Sequence, residues 1–274
     1  MVKVSINTIT HNRAPLLKEA IESVLSQSYT DWEYIIIDDA STDNTEEVVK
    51  SFNDNRIIYK KVQKQRNISA ARNLCLNKSQ GKYIAILDSD DIWCDKDKLK
   101  EQVEFLDNNP DYVIIGTGSI FINHEGEKLY KFLNPENDKE IRNVILGRCV
   151  FTHCNVLFKN NLVIYSLDPK TLHVEDYRLY LDLGKFGKFK NLPKYATKIR
   201  ETNTQLSKIN RKKQTKESLY LTKLYKKEYP NFAKNLFRAW LRHLIYGKLN
   251  FIFLYSITAK IKDVINKRKL WKKY

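Results

Sequence analysis

Two runs of the chain, YIIID (34–38) and YIAILD (83–88), are almost wholly apolar and then end in carboxylates. A strand covered on one face alternates apolar with polar residues, whereas one covered on both faces reads as a continuous apolar run. These runs therefore predict central strands of a parallel sheet sandwiched between helices. Lys3–Thr8, Ile57–Lys61 and Val113–Thr117 read as further strands. Residues 14–26 set Leu17, Ala20, Ile21, Val24 and Leu25 on one helical face, with Pro15 in the first turn. A second helix is expected after Ser41, and a third over 68–78 with Asn67 as its cap. Such alternation predicts an α/β domain with a mostly parallel central sheet flanked by helices. Beyond residue 120 the pattern loosens. IFINHEGEKLY reads as a hairpin turning at His124-Glu125-Gly126, CNVLF as a short strand, and a helix is expected from Glu175. Arg200 to Gln214 reads as a flexible polar loop, with helices after it.

In open α/β sheets, ligands bind beyond the carboxyl ends of the strands. Thr10-His11-Asn12, Asp38-Asp39-Ala40-Ser41 and Asp88-Ser89-Asp90-Asp91 all fall there. Three acids within four positions repel one another and raise one another's pKa unless something positive lies between them. One reading is a solvated acidic turn capping the next helix; the sharper reading is a divalent cation.

The four cysteines (75, 94, 149 and 154) form no CxxC pair, which argues against a zinc site or a disulfide framework. The N-terminus, MVKVSINTIT, reads as a strand rather than an export signal. The charge is uneven. Residues 1–200 hold 29 Lys/Arg against 28 Asp/Glu, while residues 201–274 hold 19 against 4. The expected division is a balanced body over 1–200, with parts 1–120 and 121–200, and a basic helical region over 201–274.

The order VSINTITHNR, YIIIDDASTDNT, NISAARNLCLNKSQGKYIAILDSDDIW and HVEDYRLYLDLGKFG resembles family 2 of the inverting glycosyltransferases, over roughly residues 1–190. The resemblance implies the GT-A fold and transfer of a sugar from a nucleotide diphosphate to a saccharide or glycolipid hydroxyl. It implies Mn²⁺ or Mg²⁺ on Asp90, the ribose on Asp88, and a turn shaped by Asp91. Either ion suits hard oxygen ligands and the charge of a diphosphate leaving group. By the same resemblance Asp39 reads the nucleobase; a carboxylate accepts from N3–H of uracil, which favours a UDP-sugar. Capping the helix after Ser41 is its alternative role. Thr10 would lie against the base, and Asn12 either joins it or caps the first helix. Arg72 reaches the ribose or diphosphate, or else makes a structural ion pair. Asp176 matches the general base, with Glu175 orienting it or meeting the acceptor; ordinary acids at a helix N-terminus are the bland alternative. His153 reads as structural.

One departure stands out. Where relatives carry a diphosphate-contacting His, this chain has Thr202 in IRETNTQLS, and Arg200 or a nearby Lys is the candidate replacement. The QxxRW signature of processive synthases is absent, which implies single additions. In the tail, Phe232, Leu236, Phe237, Trp240, Leu241, Leu244 and Ile245 share a helical face, and Lys234, Arg238 and Arg242 recur every four residues. The apolar run at 249–259 is shorter than the ~20 residues that span a bilayer. An amphipathic basic helix suits the surface of an anionic membrane, which would make this a cytoplasmic protein held at the inner face of the cell membrane. Assembly of a bacterial surface glycan, capsule or lipooligosaccharide, follows from the resemblance. Packing of that apolar face on the body is the alternative. Two rival functions are a nucleic-acid-binding protein acting through the tail and a sugar nucleotidyltransferase. The first lacks a recognisable motif and the second a Gly-rich phosphate loop, so no nucleic-acid partner is expected.

Overall fold

The computed structural model describes residues 2–201 and 209–248. Thr202 and the segments at 249–259 and 260–274 lie outside the described residues. The strands are β1 (Val4–Thr10), β2 (Trp32–Asp39), β3 (Ile57–Val62), β4 (Tyr83–Ile86), β5 (Ile92–Trp93), β6 (Tyr112–Ile122), β7 (Lys128–Phe132), β8 (Leu157–Lys159) and β9 (Lys188–Arg200). They form one sheet in the order β3-β2-β1-β4-β8-β6-β9-β5, with β7 paired to β6 off that path. The first four are mutually parallel. Past β4 the sheet is mixed: β8 runs antiparallel to both β4 and β6, while β9 is parallel to β6.

The apolar runs are explained by what covers them. Tyr34 and Ile36 of β2 enter a core with Leu17, Ala20, Ile21 and Val24 of helix α1 (Ala14–Leu25). Ile35 and Ile37 point to the other face and meet Cys75 of helix α3 (Ile68–Lys78). Edge strand β3 alternates in burial instead, because a single neighbour and a single covered face leave every other side chain to water. Helix α2 (Thr45–Lys50) follows Ser41, and α3 is capped as expected, with Asn67 Oδ1 accepting from Ala70 N at 2.9 Å. The hairpin turns through Gly126, whose φ of 88° is open to glycine at no cost.

Helix α4 (Lys98–Asn108) is the helix after the acidic turn, to which the sequence reading gives no bounds, and its inward face mixes polar residues with Leu99, Val103 and Leu106. Lys98 and Gln102 are both fully buried, and Gln102 Nε2 donates to the Asn155 carbonyl at 2.8 Å. Helix α5 (Asp138–Ile145) and strand β9 have no counterpart in the sequence reading; β9 intersperses lysines with its buried residues. Helix α6 (Glu175–Leu183) starts where expected.

The polar loop ends earlier than expected, since a helix runs over Arg211–Leu224 and takes in Arg211 to Gln214. It and the Phe232–Arg242 helix pack on α5 and α6. Leu221, Tyr225 and Tyr229 enter the core that holds Tyr177 and Leu181, Tyr229 Oη donates to the Leu181 carbonyl at 2.6 Å, and Thr222 Oγ1 to Leu146 O at 2.6 Å. The apolar face of the second helix divides. Asn235 and Ala239 turn inward, while Phe237, Trp240 and Leu241 are 60%, 48% and 38% exposed.

Candidate active site

Parallel order brings the ends of β1, β2 and β4 to one edge, with Thr10 opposite Asp38. Buried Asp38 accepts from Ser41 N at 2.7 Å and Tyr59 Oη at 2.5 Å, so it holds the turn. Asp39 accepts from Gln65 N at 2.6 Å and pairs with Lys64 at 2.8 Å, on the loop after β3. Asn12, in the left-handed region at φ 52°, accepts from Thr42 N at 2.7 Å and receives no part in capping α1. Asp43 reaches across to do that, accepting from Ala14 N at 3.1 Å, and its other oxygen accepts from Thr45 Oγ1 at 2.5 Å. Thr10 Oγ1 is buried with no hydrogen-bond partner. Such a hydroxyl is costly unless something completes it.

The acids after β4 diverge. Asp90 pairs with Arg13 at 2.7 Å, a partner absent from the sequence reading. Asp91 turns inward, taking Arg200 N at 2.9 Å and the Cys154 thiol at 2.6 Å. Asp88 receives that thiol at 3.1 Å on one oxygen and Arg72 at 3.4 Å on the other. Burial pushes the Asp88 pKa up, but Arg72, His153, the Cys154 thiol and Arg13 together outweigh it and hold the group below its ordinary value. Burial raises Asp90 against the pull of Arg13, and burial with the charges of Asp90 and Asp88 raises Asp91 well above the carboxylate range. A cation relieves this kind of crowding. One ligand atom each from Asp88, Asp91 and Cys154 lie within 4.8 Å of one another. The carboxylates fit a hard divalent ion. The Cys154 thiol, pushed well up by burial and by both acids, stays protonated and acts as a donor.

Arg72 joins this edge to the start of α6. Its Nε lies 3.5 Å from Glu175 Oε1, and its guanidinium lies 5.5 Å from the centre of the Tyr165 ring. Burial, opposed by Arg72, raises Glu175 to about 7. Burial also raises Asp176, against Arg72 and the Tyr177 N–H that donates to it at 2.6 Å. Asp176 lines a cavity of about 250 Å³ between α6 and the C-terminal helices, together with His173, Tyr177, Arg211, Thr215 and Arg242. The buried His153 lies 2.6 Å from Tyr180 Oη and 3.2 Å from Tyr165 Oη, a structural position between two phenols. Arg200 is drawn into the fold: it donates to Glu19 at 2.8 Å, His124 O at 2.7 Å and Asp90 O at 3.3 Å. Its guanidinium braces the acidic turn.

Strand-end acids thus lie on one side of Arg72, while beyond Glu175 on its other side Asp176 faces a separate cavity. The Glycosyl transferase family 2 model matches residues 5–164. An uncharacterized glycosyltransferase of Methanocaldococcus jannaschii is 32% identical over 85% of this chain and 83% of its own length. UDP-Glc:alpha-D-GlcNAc-diphosphoundecaprenol beta-1,3-glucosyltransferase WfgD of Escherichia coli is 34% identical over 66% of this chain and 70% of its own. Among solved structures, S. aureus TarS 1–349 in complex with UDP-GlcNAc superposes with a TM-score of 0.68 at 18% identity, covering 90% of this chain and 74% of that one. Mannosyltransferase PcManGT from Pyrobaculum calidifontis, in complex with GDP-Man and Mn2+, gives 0.63 at 16% identity, covering 97% and 75%. These two carry the fold. The chain belongs to glycosyltransferase family 2 and is a glycosyltransferase.

Proposed function

We propose that this enzyme transfers one sugar at a time, with inversion, from a UDP-sugar to a hydroxyl of a lipid-linked saccharide in bacterial surface-glycan assembly. The observation that carries this reading is the bridge made by Arg72, which approaches Asp88 at 3.4 Å and Glu175 at 3.5 Å and so couples the two halves of the cleft. Relatives named for a UDP-glucose donor and a diphosphoundecaprenol acceptor support the substrate classes.

In this reading Asp39 and Thr10 meet the base, Asp88 the ribose, and Arg72 the diphosphate side of the donor. Asp90 would hold Mn²⁺ or Mg²⁺ in place of the Arg13 guanidinium that pairs with it at 2.7 Å. A divalent ion there would neutralise charge gathering on the diphosphate. One oxygen of Asp176 is occupied by Tyr177 N, and the other takes the proton of the acceptor hydroxyl. The acceptor oxygen forms its bond to the anomeric carbon as the bond from that carbon to the phosphate oxygen breaks, and the electron pair leaves with the nucleoside diphosphate. Glu175 orients this base through Arg72.

Attachment to an anionic membrane is proposed on the exposed Phe237 and Trp240, whose rings stack at 6.1 Å beside basic side chains. That amphipathic character favours a bilayer over nucleic acid as the partner. Among the described residues, no helix is long and apolar enough to cross a membrane.

Calorimetric titration with UDP, with and without Mn²⁺, tests the donor site. Wild type is expected to bind UDP in a metal-dependent way and Asp90→Ala to lose that dependence. Folded wild type that ignores UDP under both conditions sinks the donor assignment.

A further inference from the structure

Three arginines converge on the turn after α5, and the chemistry assigned to the donor uses none of them. Gly147 makes the convergence possible. A Cβ there would lie 2.9 Å from Asn235 Oδ1 and 3.4 Å from Arg238 Cβ, so only a glycine lets the Phe232–Arg242 helix come this close. Arg242 Nη1 then donates to Gly147 O at 3.3 Å, and Arg148 follows in sequence, fixed by Asn134 Oδ1 at 2.9 Å. Among the described residues, no carboxylate forms an ion pair with Arg148, Arg238 or Arg242. Arg238 and Arg242, four apart on one helix, repel each other unless an anion intervenes. Burial first, then the nearby Arg242 and Arg238 charges, lower the pKa of Arg148. Like charges gathered with no pairing carboxylate among the described residues suit an anionic ligand.

The surroundings say which anion. Arg242 lines the cavity that contains Asp176. On the same helix, Phe237, Trp240 and Leu241 stand exposed. Base, guanidinium cluster and exposed apolar patch thus occur together, matching the three parts of a glycolipid: sugar, diphosphate and lipid. The cavity, about 250 Å³, falls just below the ~300–1,000 Å³ usual for small-molecule sites, and so suits the end of a saccharide more than an extended glycan.

We infer that Arg148, Arg238 and Arg242 bind the diphosphate of a lipid-linked acceptor and set its sugar hydroxyl toward Asp176. This rests on the transferase reading above and adds to it the residues that hold the diphosphate of the acceptor. The cluster is separate from the donor diphosphate, which belongs at the strand-end acids. Arg fits this task because its planar fork bonds phosphate oxygens in pairs.

The test is calorimetry on the full chain saturated with UDP and Mn²⁺, so that a diphosphate cannot enter the donor side. Two probes are compared: α-GlcNAc diphosphate carrying a short alkyl chain, and the same alkyl GlcNAc without the diphosphate. Wild type is expected to favour the first by ~10-fold or more, and Arg238→Gln with Arg242→Gln to erase the preference, as befits lost charge-assisted hydrogen bonds. Arg242→Lys should restore only part of it. Both positions are exposed, and an unchanged melting temperature with unchanged UDP binding verifies that the variants are folded. Equal affinity for the two probes, or a preference that survives the double substitution, overturns the inference. So does equal displacement by phosphatidylglycerol micelles, which would assign the cluster to membrane headgroups. The two readings fail separately. Absence of UDP binding with the preference intact removes the donor assignment alone, and UDP binding without the preference removes the acceptor site alone.

Discussion

Asp176 combines raised basicity with a position on a cavity, and Glu175 beside it is raised to about 7 by burial. A base must be ionised to accept a proton, so kcat/KM should fall as pH drops through the pKa of this pair. That limb should lie above the ordinary carboxylate range of roughly 3.9–4.3, and it belongs to the pair rather than to either residue. A pH profile of wild type against Glu175→Gln checks this; a limb at the ordinary range in wild type removes the argument. Asp176→Asn should retain UDP binding and lose ~10²–10⁴-fold in kcat. Lys98 tells a different story. Fully buried over the Trp93 ring with Gln102 Oε1 as its acceptor at 2.8 Å, it is lowered by burial from 10.5 to about 7. Between those values the unfolded chain binds a proton that the folded chain lacks, so stability rises with pH across the window and falls toward pH 7. Melting temperatures across that window should climb in wild type and climb less in Lys98→Met; parallel slopes would count against a neutral buried amine.

The elements legible in the sequence are those whose pattern is local. Helix α3 was marked by Asn67, and the cap is present at 2.9 Å from Ala70 N. Asn67→Ala should lower stability by ~1 kcal/mol, measured by chemical denaturation, and a variant as stable as wild type would mean the cap is replaced by solvent. The bounds of helix α4 are illegible because its inward face interrupts Leu99, Val103 and Leu106 with Lys98 and Gln102, polar groups satisfied by one another and by carbonyls of Ile115 and Asn155 far along the chain. Strand β9 was missed for a related reason: Lys188, Lys190, Lys194 and Lys198 interrupt any apolar run, and its burial comes from β6 and β5, which it joins across the sheet.

Across the whole molecule, the Arg211–Leu224 and Phe232–Arg242 helices share a core with α5 and α6 and close the far wall of the cavity that holds Asp176. The same packing leaves Phe237 and Trp240 outward. Replacing both with Ser should weaken sedimentation with phosphatidylglycerol vesicles severalfold while leaving UDP binding intact, and added salt should weaken wild-type binding as the basic contribution is screened. Binding to vesicles that neither substitution nor salt alters would remove the membrane face from the proposal.

By itself the sequence determined the α/β alternation, the strand-end placement of Thr10, Asp39, Asp88 and Asp90, and the start of α6 at Glu175. Each of these is written in periodicity or in residues adjacent along the chain. The tertiary structure decided the pairings: Arg13 with Asp90, Cys154 with Asp88 and Asp91, Arg72 between Asp88 and Glu175, and Arg238 and Arg242 around Gly147. In a chain with 48 Lys/Arg and 32 Asp/Glu, many ion pairs are compatible with the same sequence. Burial and sheet order select among them, and both arise only when distant segments pack.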